Sequence, residues 1–207
     1  MKVLTLLSAS VLLALAGCSS APVHYHTLLA PQASVSDATI KAPFLLNVLP
    51  VGIPAQLDQT YLVVRQGQNG VTILDNERWA SAFGDEVRSA LSAQLTQQLA
   101  SRDIAGLPAP GPKGKPVMMV KVQIRRFDAW PNRDVQLDAS WSLGVFGDPE
   151  NGDGNHGMNA HRLGHASLTE AAPGGYAALV NAQQDVLRQL AGKISSEAKE
   201  WSANAYQ

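Results

Sequence analysis

Hydrophobic and polar positions along the chain repeat with two different periods, and each period predicts a kind of element. The cleanest two-residue period lies over residues 117–145. Met118, Val120, Val122 and Ile124 point one way, and Lys121, Gln123 and Arg125 the other, as in a half-buried strand. Arg126 breaks the alternation, which predicts a bulge at Arg125-Arg126. After a turn at Pro131-Asn132-Arg133-Asp134, the residues Val135, Leu137, Ala139, Trp141, Leu143 and Val145 alternate with Gln136, Asp138, Ser140 and Ser142. The two strands are therefore expected to pair as a hairpin with one face buried. Phe44 to Val51 is a nearly continuous apolar run bounded by Pro43 and Pro50, which predicts a central strand buried on both faces. Tyr61–Arg65 and Val71–Leu74 are shorter strand-like runs. Asn69-Gly70 between them predicts a hairpin turn, since both residues tolerate positive φ. Ala160–Thr169 reads as a last strand with weaker alternation.

A period near four appears twice. Trp79, Phe83, Val87, Leu91, Leu95 and Leu99 predict a helix from about Glu77 to Ser101, its stripe widened by Ala80 and Ala90. Asp75 and Asn76 are its N-cap candidates, and Glu77 suits the positive end of the helix dipole. The opposite face (Ser81, Gln94, Gln97, Gln98) is polar and not basic, which favours core packing over a lipid surface. After the breaker Pro173-Gly174-Gly175, a second helix is expected over about Tyr176–Ala203. Leu179, Val186, Leu190 and Ile194 lie on its stripe, and Asp185, Arg188, Lys193, Lys199 and Glu200 fall mostly outside it. The expected fold is α+β: an antiparallel or mixed sheet of about five or six strands with two long helices packed on one face. It occupies residues 42–203, followed by a tail at 204–207, with Trp79 and Trp141 as core anchors.

The N-terminus carries a different signal. Lys2 precedes an apolar run from Val3 to Ala16, too short for the roughly 20 residues a bilayer span needs. The run ends in Leu15-Ala16-Gly17-Cys18, with the only cysteine of the 207 residues. Charged start, apolar middle and small-residue exit describe a secretory signal peptide, and its exit resembles the bacterial lipobox. Residues 1–17 are then a lipoprotein signal peptide, and Cys18 becomes the acylated first residue. Residues 18–41 are mostly a flexible tether, with a possible edge strand at Val23–Leu28. Ser19 follows the Cys, which by resemblance to sorted lipoproteins gives an outer-membrane address on the periplasmic side. With Cys18 used for acylation there is no disulfide, so stability rests on packing. Without Lys2, 15 basic side chains face 17 acidic ones. That balance offers no basic stripe for nucleic acid.

Several residues invite a sharper chemistry. His24 and His26 stand at strand spacing and could form a metal pair; the plainer reading is two polar residues on one face of an edge strand. Arg125 and Arg126 could hold an anion, or simply be solvated. The polar loop Gly147–Asn159 suggests calcium, but counted from Asn151 it places His156 and Arg162 where an EF-hand needs Gly and Glu. His156, His161 and His165 could cluster as ligands, yet no Cys or acidic residue stands at ligand spacing. No Gly-x-Ser-x-Gly or His-Glu-x-x-His occurs, so no catalytic residue, metal or cofactor is expected beyond the covalent lipid on Cys18.

Several stretches in order resemble the Pqi-type auxiliary lipoproteins, the ABC-type transport auxiliary lipoprotein family (PqiC/YmbA type). They are Tyr25-His26-Thr27-Leu28-Leu29-Ala30-Pro31, Val48-Leu49-Pro50-Val51, Leu57-Asp58, Val63-Val64-Arg65 and Arg78-Trp79-Ala80. Phe127-Asp128, Val135–Trp141 and Tyr176–Ala182 continue the series. The chain departs from the pattern in its long Gly147–Asn159 loop. The resemblance implies a lipid-anchored periplasmic domain that forms a homo-oligomeric ring. It implies docking to an MCE-domain protein of a Pqi-like system that moves lipids or protects the envelope, and no enzymatic activity. A monomeric lipid carrier is the other reading.

Overall fold

The structure is a computed structural model that describes residues 21–31, 40–108, 115–146 and 161–205. Its elements are β1 (His24–His26), β2 (Leu45–Val48), β3 (Tyr61–Gln66), β4 (Gly70–Trp79), α1 (Phe83–Leu99), β5 (Val117–Trp130), β6 (Asp134–Phe146), β7 (His161–Ala171) and α2 (Tyr176–Ala205). The class is α+β, as the pattern predicts. The strands, however, form two sheets and not one: a three-stranded sheet ordered β1-β4-β3 and a four-stranded sheet ordered β2-β5-β6-β7. β1 runs parallel to β4 and β2 parallel to β5; the remaining pairs are antiparallel. α2 packs on β7, β6 and β5, and α1 packs on α2 and β2.

The β5–β6 hairpin follows its alternation closely. Val120, Val122, Ile124, Val135, Leu137, Ala139 and Leu143 are all buried. The ladder slips between Ile124 and Arg126, where the bulge is expected. Beyond it, Phe127 and Ala129 take over the buried positions. Trp141 lies opposite Gly164 on β7. Its indole occupies the space a side chain at 164 would need, since a Cβ there would stand 2.2 Å from the ring. The glycine thus leaves room for an aromatic neighbour across the strands. The Trp141 Nε1 donates to Glu197 Oε2 on α2 at 2.8 Å, joining sheet to helix.

Three local expectations need correction. First, α1 starts at Phe83, not Glu77, because Glu77, Arg78 and Trp79 extend β4 and pair with His24, Tyr25 and His26. Asp75 and Asn76 are strand residues and cap nothing. The N-cap is Ala82, which has no side-chain bond; instead Asp58 Oδ1 accepts from Gly84 N at 3.1 Å, satisfying one of the helix's free donors from a distant segment. Second, β2 lies at the end of its sheet, not at its centre. Only alternate residues, Leu46 and Val48, are fully buried. Its outer edge is covered by residues 102–104: Leu46 N donates to Arg102 O and Ile104 N donates to Leu46 O, both at 2.8 Å. Asp103 then accepts from Val48 N, Ser92 Oγ and Arg88 Nη2, pinning this flap to α1. Third, the β3–β4 hairpin exists, but Gln66 pairs with Gly70 and the residue at positive φ is Gly67 (61°), not Asn69 or Gly70.

The two sheets are joined by aromatic and ionic contacts. Trp79, Phe83 and Phe127 stack in series at centroid distances of 5.3 and 5.4 Å. Arg65 on β3 lies 3.6 Å from Asp128 on β5. The Gly147–Asn159 loop and residues 109–114 fall outside the described residues.

Trp79 is 3% exposed and Trp141 4%. Trp79→Ala is expected to cost roughly 3–5 kcal/mol in denaturant unfolding. Gly164→Ala should cost about 1–3 kcal/mol by overpacking against Trp141. Unchanged unfolding midpoints would refute these two core assignments.

Candidate functional site

Cys18, the one site residue read from the sequence, lies outside the described residues. What the structure describes is the junction where the segment following Cys18 enters the domain. Within the stretch 18–41, the described strand is at an edge, where the possible edge strand is expected. β1 lies beside β4, Ala80 N donates to His26 O at 2.8 Å, and Leu28 is 2% exposed in the core.

Two carboxylates make the junction. Glu77 holds β1 by both oxygens: His24 Nδ1 lies 2.9 Å from Oε1 and His26 Nε2 2.5 Å from Oε2. Burial pushes the Glu77 carboxyl upward, but hydrogen bonds from His26 and His24, and their charge, outweigh it and hold it below its ordinary value. Glu86, on the first turn of α1, is 4% exposed. Its Oε2 accepts from Thr27 Oγ1 at 2.8 Å and Leu28 N at 2.9 Å. Its Oε1 accepts from Ser81 Oγ at 2.9 Å and Ser81 N at 3.2 Å. A buried carboxylate is tolerable only with its acceptor positions filled in this way. Gln184 on α2 completes the clasp by donating to Thr27 O at 3.0 Å.

The sharper metal and anion readings find other partners here. His24 and His26 converge on one carboxylate, and among the described residues no three His, Cys, Asp or Glu side chains gather as ligands. His165 Nε2 lies 2.9 Å from Asp138 Oδ1, which also accepts from Arg125. The His165 hydrogen bond, against a smaller opposing effect of burial and with help from Arg125, holds Asp138 below its usual value. Arg126 donates to Gln136, so both arginines bind neighbours on β6 along a solvated face. His156 and the calcium-like loop lie outside the described residues. Sequence reading missed Glu86, although a charge beside Phe83, Val87 and Ala90 on an apolar stripe is a signal for a buried partner. It also missed Glu77 as a strand residue.

Removing the Glu86 carboxylate (Glu86→Ala) leaves buried donors unmet, each worth about 1–3 kcal/mol, and should lower the unfolding midpoint clearly. Glu77 has a lower pKa folded than unfolded, so its contribution is complete above 4.5, its ordinary value, and fades as pH falls through the depressed one. Thermal melts of the parent chain and Glu77→Gln should therefore differ above pH 4.5 and converge in acid. A gap that widened in acid would contradict the assignment.

Comparison places this arrangement among known proteins. A family model described as the ABC-type transport auxiliary lipoprotein component matches residues 26–195, from the second histidine of β1 to the middle of α2. A crystal structure of an uncharacterized protein superposes with a TM-score of 0.66 at 19% identity, covering 86% of this chain and 99% of that one. A crystal structure of a Xanthomonas campestris protein gives 0.58 at 12% identity, covering 79% and 89%. At these identities the two structures speak for the fold alone. Among the curated proteins none matches. No described helix is long and apolar enough to cross a membrane. With the model match spanning most of the domain, the chain belongs to the ABC-type transport auxiliary lipoprotein family.

Proposed function

We propose that this chain is an outer-membrane lipoprotein, anchored through acylated Cys18 and facing the periplasm. In this reading it serves as a ring-forming adaptor subunit of an MCE-type, Pqi-like system for lipid transport and envelope integrity. The observation that carries the anchoring part is the fastened N-terminal segment. Only five residues separate Cys18 from His24, the first residue of β1, so an acyl chain there would seat the folded domain directly on the membrane. Family membership supports the auxiliary role in transport. The ring, the MCE partner and the outer-membrane address follow from likeness to the Pqi-type proteins. The role is one of scaffold and partner, with no catalytic group assigned.

A lipid carrier needs an interior that accepts acyl chains. Among the described residues, cavities of about 10 and 60 Å³ lie between the sheets, each well below the roughly 300–1,000 Å³ of ordinary ligand pockets.

Light scattering on residues 19–207 should give a discrete multimer whose mass is stable across concentrations, and that multimer should capture an MCE-domain partner. A monomer at every concentration would overturn the ring. Cys18→Ser should leave an unprocessed precursor in the inner membrane; normal processing and outer-membrane recovery would overturn the anchor.

A further inference from the structure

The three-stranded sheet has a face turned away from the helices, and strand register defines it. On β3 and β4, Leu62 pairs with Leu74 and Val64 with Thr72, and Leu62 and Val64 belong to the core. The alternate pairs, Val63 with Ile73 and Arg65 with Val71, lie on the opposite face; there Val63 is buried and Arg65 reaches Asp128 on β5, so β5 covers the β3 side while Val71 and Ile73 on β4 stay open. Between the Leu62–Leu74 and Tyr61–Arg78 pairs, β4 gains residues 75–77, an odd number that exchanges its faces. Arg78 is thus outward with Tyr61, its guanidinium 4.8 Å from the Tyr61 ring, while Trp79 turns into the core. Tyr25 pairs with Arg78 and shares the outer face, and Val23 follows by alternation.

This face is unusually apolar for one open to solvent. Val23, Tyr25, Val71 and Ile73 are 38%, 67%, 46% and 49% exposed. Arg78 supplies a cation, Arg65 being held by Asp128 on β5, and Asp75 lies in the bulge. Aliphatic side chains with a tyrosine and an arginine suit a membrane interface, where aromatic rings sit at headgroup level and guanidinium groups reach phosphates. Geometry supplies the occupant. β1 runs parallel to β4, so the chain before His24 leaves along the sheet toward the Ile73 and Val71 end. Five peptide steps from Cys18 to Val23 span at most ~18 Å.

We propose that the outer face of the β1-β4-β3 sheet lies on the lipid surface beside the anchor, with Tyr25, Ile73 and Val71 in the headgroup region. The proposal rests on acylation of Cys18. It fixes the orientation of the domain: sheet toward the lipid, α1 and α2 away from it.

The test uses the full, processed chain in vesicles of phosphatidylethanolamine and phosphatidylglycerol. With Cys18 acylated, Ile73→Cys supplies the only free thiol for an environment-sensitive fluorophore, and Asn181→Cys on α2 supplies the control. The Ile73 probe should shift to the blue and be quenched by headgroup nitroxide lipids, and the Asn181 probe should not. Val71→Glu in the Ile73-labelled chain should abolish the quenching while the protein still floats with the vesicles. Both probes remaining in water, or protection that appears only at high surface density of protein, would overturn the proposal; the latter would mean that a second copy covers the face. The mass of the processed chain separates this failure from that of the anchor: without acyl groups, the anchor reading itself is wrong.

Discussion

The Glu86 carboxylate is the constraint on which the architecture turns. It sits where three parts of the chain meet: the segment after β1, the turn from β4 into α1, and α1 itself. Each of its oxygens serves a different part, Oε2 the Thr27–Leu28 segment and Oε1 the Ser81 turn. A carboxylate this deeply placed has no water to fall back on, so its geometry admits one arrangement of these segments. The path of β1, the start of α1 and the burial of Leu28 are consequences of that arrangement.

From this corner the structure extends through side chains rather than through a shared ladder. Trp79 closes β4 and Phe83 opens α1, only four residues apart, and their rings meet and pass the contact to Phe127 on β5. The residue pairs Arg65–Asp128 and Asp58–Gly84 also cross between elements distant in sequence. All of them fall within the stretches by which the chain resembles its family, except Phe83 and Gly84. Those stretches are thus where the two sheets and the first helix are tied together, which explains their scatter along the chain.

What was legible in the sequence was what depends on neighbours. The β5–β6 alternation, its bulge at Arg125-Arg126 and the stripe of α2 are each set by residues two to four positions apart. Trp79 shows where this fails. Its four-residue spacing to Phe83 and Val87 fits a helix, but its backbone pairs with His26, fifty-three residues earlier in the chain. No local period contains that information. The same holds for β2, whose apolar run fits a central strand, while its actual edge is covered by Arg102–Ile104. The division into two sheets is likewise decided by parallel pairings over long separations. At the junction, Glu86 left a trace in the sequence as a charge within an apolar stripe, whereas the pairing of Glu77 with two histidines left none.

The parallel pairing of β1 also orders events in time. Closing a loop of this length is slow compared with forming the β5–β6 hairpin or turning a helix. β1 has no partner until the chain through Trp79 is free to fold and β4 has formed. Until then His24 and His26 have no carboxylate to close on. Once His24 and His26 close on Glu77, Thr27 and Leu28 follow onto Glu86. On the proposed anchoring, fastening of the chain that follows Cys18 is therefore a late step of folding, with the arrival of β4 as its delay.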